Sequence, residues 1–217
     1  SRVMLITGAS RGIGAATARL AAQQGYALCL NYHQRADAAN AVLDQVRGLG
    51  VTAIAVQADV ADETQVLHMF EAIDREFGRL DVLVNNAGVA SGGFFDELSL
   101  EDWDWQIAIN LMGVVKGCKA FLPLVQKSKG KIINIASMAA LMQAPGMSNY
   151  NVAKAGVVAL SESLMVELRQ AEVGVHVVCP SFFQTNLLDS FRGPTPNVKA
   201  QIGKLLESSP ITAADIA

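Results

Sequence analysis

The sequence predicts a doubly wound α/β fold, a parallel sheet with helices on both faces, with residues 1–217 forming one domain. Three observations carry that prediction. Short apolar runs alternate with longer helical ones along the whole chain. The first apolar run leads directly into a glycine loop, TGASRGIG, which opens an alanine-rich segment. Glycines stand where the first three helical segments should stop, and no repeat or low-complexity linker divides the chain. A chain of 217 residues can bury a substantial core and commonly stays one domain in this class.

Taken in order, the first strand is expected near Val3 to Thr7, followed by a helix near Gly12 to Gln24 that Gly25 ends. The second strand lies near Ala27 to Asn31, and its helix, near Ala38 to Leu49, has Asp37 as cap and Gly50 at its end. A third strand near Thr52 to Gln57 precedes a helix near Glu63 to Phe77, with Asp62 capping opposite Gln65 and Gly78 closing the last turn. After a strand near Val82 to Asn85, Ser99 with Asp102 caps a long helix near Leu100 to Lys127. A strand near Lys131 to Ser137, a helix near Tyr150 to Ala171 and a strand near Gly174 to Cys179 complete the pattern. The stretch from Gln184 to Val198 has two prolines, Gly193 and few helix formers after Phe191, and reads as a lid.

Composition narrows the function classes. The net charge is −3 with both signs scattered, so neither nucleic acid nor an anionic membrane is indicated as partner. Hydrophobic residues make up 51%, but Gly, Asn, Ser or Lys interrupt the long apolar stretches before bilayer length, and no charged start with an apolar middle marks a leader. Cys29, Cys118 and Cys179 lie far apart, which fits buried free thiols in a reducing, cytoplasmic compartment and no zinc site. His68 and His176 lack acidic or cysteine neighbours at ligand spacing, so no metal is expected.

Chemistry concentrates around Tyr150 and Lys154. Four residues apart, they share one face of a helix, which brings an ammonium toward a phenol and favours phenolate. Ser137, at the end of the neighbouring strand, offers a hydroxyl to hold a carbonyl oxygen against that phenol. The bland alternatives are a half-exposed helix pair and a strand-end hydroxyl. The glycine loop supplies the second ingredient, because it lets a pyrophosphate approach a helix N-terminus whose free amides favour anions. A site that moves a proton at an oxygen while a cofactor moves hydride follows from the two together.

Thr7, Gly8, Gly12, Gly14, Asp59, Asn85-Asn86-Ala87-Gly88, Asn110, Ser137, Tyr150, Lys154 and Thr185, in this order and spacing, resemble the short-chain dehydrogenase/reductase family over almost the whole chain. The resemblance implies a Rossmann sheet and a hydride-transferring enzyme acting on a small-molecule ketone or secondary alcohol. It implies Asn110, Ser137, Tyr150 and Lys154 as catalytic residues: Tyr150 the acid or base, Ser137 orienting the substrate oxygen, Lys154 lowering the tyrosine pKa and holding the nicotinamide ribose, and Asn110 anchoring a water. Cofactor contacts are implied for Thr7, Gly8, Ser10, Arg11, Gly12, Ile13 and Gly14 in the loop, Tyr32, His33 and Arg35 after the second strand, and Asp59 and Val60 after the third. Asn86, Ala87, Gly88, Tyr150, Lys154, Pro180 and Thr185 complete that set. Residues before about Asn86 resemble reductases of acyl or sugar ketones, and the later part resembles another branch.

Charge argues for NADP(H). No carboxylate stands at the end of the second strand, where NAD-binding relatives hold the ribose 2′-hydroxyl, and Arg11 is placed to meet a 2′-phosphate. If Arg11 and Arg35 are solvated surface residues instead, NAD(H) is accepted as well.

The sequence departs from the family's pattern in two places. Cys179-Pro180-Ser181-Phe182-Phe183 replaces the usual Pro-Gly, which alters the loop path and leaves open a catalytically silent NADP(H)-binding sensor or scaffold. The family also continues past a segment like SSPITAADIA into one more strand, so a missing C-terminal strand is expected. Met138, Leu141, Met142, Met147, Phe182, Phe183, Leu187, Leu188 and Phe191 lean toward a lipophilic substrate. The breadth of the apolar surface on the two long helices, which the family uses for assembly, predicts a homodimer or homotetramer.

Overall fold

Side chains alternate across a strand, so a strand buried on both faces must be apolar at successive positions. That is the character of VMLI in β1 (Val3–Ile6) and of ALCLN in β2 (Ala27–Tyr32), which is buried at every position except Tyr32. In the computed structural model, which describes residues 1–185 and 187–217 without the Pro196 side chain, four more strands join them: β3 (Ala53–Gln57), β4 (Val82–Asn85), β5 (Lys131–Ile135) and β6 (Gly174–Val178). All pairings are parallel and the order is β3-β2-β1-β4-β5-β6. The direction of winding reverses between β1 and β4, so a crevice opens at the carboxyl ends of those two strands.

Two cores result. Val3, Leu5 and Leu83 face one, packed by α3 (Glu63–Phe77), α5 (Gly113–Ser128) and α6 (Ser148–Glu167), with fully buried Phe121 near its centre. Met4, Ile6, Val82 and Val84 face the other, covered by α1 (Gly12–Gln23) and α2 (Ala36–Gly48). Between β4, β5 and α6 runs a buried polar chain: Asn85 Nδ2 donates to Asn134 Oδ1 at 2.9 Å, and Asn134 Nδ2 to Ser161 Oγ at 2.9 Å. This chain fixes β5, which leads into Ser137, and α6, which carries Tyr150, to the centre of the sheet.

The expected helix boundaries hold with specific exceptions. Asp62 caps α3 and accepts from the Gln65 amide, and Ser99 with Asp102 forms a capping box on α4 (Leu100–Ile107). Asp37 is not the cap of α2: that helix starts at Ala36, Arg35 stands at the cap, and Asp37 lies in the first turn, where its charge acts on the helix dipole. The long predicted helix is interrupted by a π-turn at Ala108–Met112 before it resumes as α5. By length and composition the run Leu100–Ser128 is apolar enough to cross a membrane, contrary to the expectation that polar residues break every such stretch. Here its Val114, Cys118, Phe121, Leu124 and Val125 are buried in the core beneath the sheet.

The stretch read as a lid contains more structure than its composition predicts. A 3-10 turn spans Leu187–Ser190, and a helix absent from the sequence reading, α7 (Pro196–Glu207), follows; Asn186 lies outside the described residues. A proline in the first turn lacks only an amide that would be unpaired there, so Gly193 and Pro194 ahead of the helix and Pro196 at its first position mark its start. A short helix, α8 (Ala213–Ile216), ends the chain, and β6 forms one edge of the sheet.

Candidate active site

A cleft of about 780 Å³ occupies the crevice between the ends of β1 and β4, running from the glycine loop past Ser137 and Tyr150. Its floor is built by the loop after β1. Gly8 has φ of +64°, and a Cβ there would stand 2.9 Å from the Ala87 Cα, so only glycine permits this packing of the two loops. Gly12 also has a positive φ, +56°, but no atom lies within 4 Å of the position a Cβ would take. Arg11, at the cap of α1, makes no side-chain cap, and the first residues of that helix, Gly12 and Ile13, line the cleft, so its N-terminus is available to a pyrophosphate there. These features fit a dinucleotide.

Of the residues expected at the cofactor, Gly8, Ser10, Arg11, Gly12, Ile13, Tyr32, His33, Arg35, Asp59, Val60, Asn86, Ala87, Gly88, Tyr150, Lys154, Pro180 and Thr185 line the cleft. Thr7 and Gly14 do not. Thr7 is buried, and its Oγ1 accepts from the amides of Asn86 at 2.9 Å and Ala87 at 3.0 Å, stapling the two loops from behind. A Cβ on Gly14 would meet the Gly8 carbonyl oxygen at 2.5 Å, so this glycine serves packing within the loop. Asn31 was not anticipated: its Oδ1 accepts from the Gly8 amide at 3.2 Å while Nδ2 donates to the Ala58 carbonyl at 3.0 Å. An asparagine inside the apolar run ALCLNY was the available signal.

The π-turn explains Asn110. The extra residue per turn rotates its side chain, fully buried, onto Val89: Oδ1 accepts from the Val89 amide and Nδ2 donates to the Val89 carbonyl, each at 2.8 Å. A Cβ on Gly88 would lie 3.3 Å from Asn110 Oδ1 and 3.7 Å from Lys154 Nζ, which places all three around one point. A second buried network, also unforeseen, links this corner to α6. Asn149 Nδ2 donates to Ser91 Oγ at 2.6 Å, Ser91 Oγ donates to Gln106 Oε1 at 2.9 Å, and Asn149 Oδ1 accepts from the Tyr150 amide at 2.8 Å.

Ser137, Tyr150 and Lys154 meet at the cleft as the sequence predicts. Ser137 caps the 3-10 turn at Met138–Ala140, accepting from the Ala139 amide at 3.1 Å, and lines the cleft together with Tyr150. Tyr150 is buried, and desolvation pushes its phenol above the ordinary tyrosine value, partly offset by Ser137. The expected depression by Lys154 is therefore not realised in the protein alone. Lys154 Nζ sits 5.9 Å from the Tyr150 ring centroid and donates to the Ile135 carbonyl at 2.9 Å. Burial pulls its ammonium down to about 8, with a small opposing effect from Cys179.

Beyond these residues most of the cleft wall is apolar, with Gln34, Gln143, Ser181 and Ser190 among its polar positions. Met138, Met142, Met147, Phe182, Phe183 and Leu187 line it as expected, whereas Leu141, Leu188 and Phe191 do not, and α7 adds Ile202 and Leu206. The two phenylalanines after Ser181 thus form part of the cleft wall. Arg11 and Arg35 are not free in solvent: both guanidiniums pair with Asp189, at 2.6 and 3.4 Å.

The sequence model of the short chain dehydrogenase family matches residues 2–194. The chain belongs to that family. The chain is 42% identical to a 3-oxoacyl-[acyl-carrier-protein] reductase from Synechocystis over 191 residues, which make up 88% of this chain and 77% of that protein. A short-chain dehydrogenase/reductase from Burkholderia phymatum, solved in complex with NAD, superposes with a TM-score of 0.94 at 34% identity, over 100% of this chain and 83% of that one. An alcohol dehydrogenase from Thermococcus sibiricus complexed with 5-hydroxy-NADP superposes with a TM-score of 0.83 at 29% identity, over 96% of this chain and 91% of that one. This short-chain dehydrogenase is therefore an oxidoreductase with a Rossmann-type nucleotide fold, and the sequence expectation of family and fold holds.

Proposed function

We propose that this chain is an NADP(H)-dependent ketoreductase that interconverts a lipophilic ketone, of the 3-oxoacyl type, and its secondary alcohol. The observation that carries the reading is the convergence of Ser137, Tyr150 and Lys154 in the same cleft as the glycine loop. The apolar walls and the Synechocystis relative support the substrate class. The cofactor preference rests on Arg11 and Arg35 at the cleft and on the absence of a carboxylate at the end of β2.

The cofactor, when bound, supplies hydride in reduction and accepts it in oxidation. Ser137 Oγ donates to the substrate oxygen and holds it against Tyr150. Because burial raises the phenol pKa, Tyr150 is protonated at neutral pH and poised to give its proton to the oxygen that becomes the alcohol. The Lys154 ammonium stabilises the phenolate left behind and holds a ribose hydroxyl, and Asn110 anchors a water between the lysine and solvent. Asp59 receives the adenine amino group. The enzyme works as a homodimer or homotetramer in the cytoplasm, assembled through α4 to α6, where Met112, Val152, Met165 and Val166 are exposed on the single chain.

The test is turnover of an acetoacetyl thioester and a panel of ketones with NADPH, in wild type and Tyr150→Phe. Loss of roughly a hundredfold or more in kcat with NADPH affinity retained is expected. NADPH binding without turnover across the panel, or a Tyr150→Phe variant that keeps its rate, would sink the assignment.

A further inference from the structure

We infer that Asp189 is a specificity-determining residue, an internal carboxylate that competes with the 2′-phosphate of the cofactor for Arg11 and Arg35. The inference rests on the NADP(H) reading of the cleft. A single oxygen, Asp189 Oδ2, receives Arg11 Nη1 at 2.6 Å and Arg35 Nη2 at 3.4 Å. Those arginines stand at the caps of α1 and α2, on either side of the cleft's nucleotide end, and neither side chain caps its own helix. Asp189 comes from the opposite direction, in the 3-10 turn Leu187–Ser190 after β6, and its neighbours Leu187 and Ser190 both line the cleft. The carboxylate therefore ties its turn, whose first and last residues line the cleft, to the two guanidiniums.

The competition follows from charge. A phosphate monoester carries about −1.5 to −2 at neutral pH and three acceptor oxygens, against one charge and two oxygens for a carboxylate. NADP(H) thus displaces Asp189 and must release the Leu187–Ser190 turn from the arginines. NAD(H), with a bare 2′-hydroxyl, leaves the ion pairs in place and is covered by the closed segment. The three side chains are 30%, 54% and 41% exposed for Arg11, Arg35 and Asp189, so the restraint is modest and reversible.

Binding of NADPH, NADH, 2′,5′-ADP and 5′-AMP to wild type, Asp189→Asn and Arg11→Ala by titration calorimetry tests this. Asp189→Asn is expected to tighten NADPH and 2′,5′-ADP by roughly threefold to tenfold, as for release of exposed ion pairs, with NADH and 5′-AMP within twofold of wild type. In an Arg11→Ala, Arg35→Ala background the same substitution should change nothing. Unchanged affinity for the phosphorylated ligands in Asp189→Asn, or equal tightening for all four, overturns the inference. The NADP(H) reading fails separately, by equal binding of NADPH and NADH to wild type and to Arg11→Ala. Under equal wild-type binding, selective tightening in Asp189→Asn still supports the competition, and its absence still overturns it.

Discussion

A buried lysine next to a buried tyrosine sets the energetics at the residue scale. Lys154 is protonated only below about 8 in the folded chain, against 10.5 for an ordinary lysine, because desolvation penalises its charge. Between those two values the unfolded chain holds more protons than the folded one, so this residue makes stability rise with pH across that window. Below it both states are charged and the full penalty, on the order of 3 kcal/mol, remains. Lys154→Met should accordingly gain stability relative to wild type at pH 7, and the gain should fade as the pH approaches 10.5. Urea unfolding of both proteins across that range checks it; a difference that stays constant with pH would refute the titration, since the lost hydrogen bond to Ile135 shifts all points alike. The same desolvation keeps Tyr150 protonated, which suits a proton donor and demands a cation near the phenolate only once the proton has left.

At the scale of elements, the π-turn at Ala108–Met112 is what gives an asparagine a reason to stand in a long apolar helix. Its two hydrogen bonds satisfy both backbone groups of Val89, in the loop that leaves β4 toward the site. Asn110→Leu would keep the volume and leave the half-buried Val89 amide without its partner, while the Val89 carbonyl keeps only Gln106 Nε2 at 3.4 Å, a loss of about 1–3 kcal/mol. We expect a matching fall in the urea midpoint together with reduced kcat, because the Gly88 corner facing Lys154 would shift; an unaltered midpoint would show that Val89 finds other partners. The neighbouring chain Gln106–Ser91–Asn149 acts on the first turn of α6, and its fully buried members show that this corner is held by polar bonds as well as apolar packing.

For the whole molecule, the apolar residues left outside decide the assembly prediction. Val166 is 76% exposed and Val152 50% on α6, with Met112 40% exposed on the π-turn, beyond what packing on the sheet uses. Val166→Glu should lower the mass measured by light scattering from that of a dimer or tetramer toward the monomer, with the fold intact by circular dichroism. A wild-type chain already monomeric at micromolar concentration would remove the proposed interface.

The six strands, their helices and the meeting of Ser137, Tyr150 and Lys154 were legible in the sequence, since strand pattern, caps and helical spacing are local properties that side-chain chemistry dictates directly. The glycine loop was legible for the same reason, except that burial sets Thr7 and Gly14 behind it as supports. Contacts between segments distant along the chain were not: Asn31 under the loop, Gln106 against Ser91, and Asp189 on arginines 178 and 154 residues earlier. The direction of the Tyr150 shift belongs with them. Proximity to a lysine can be read from spacing, but the burial that outweighs it is decided by everything the tertiary structure packs around the phenol.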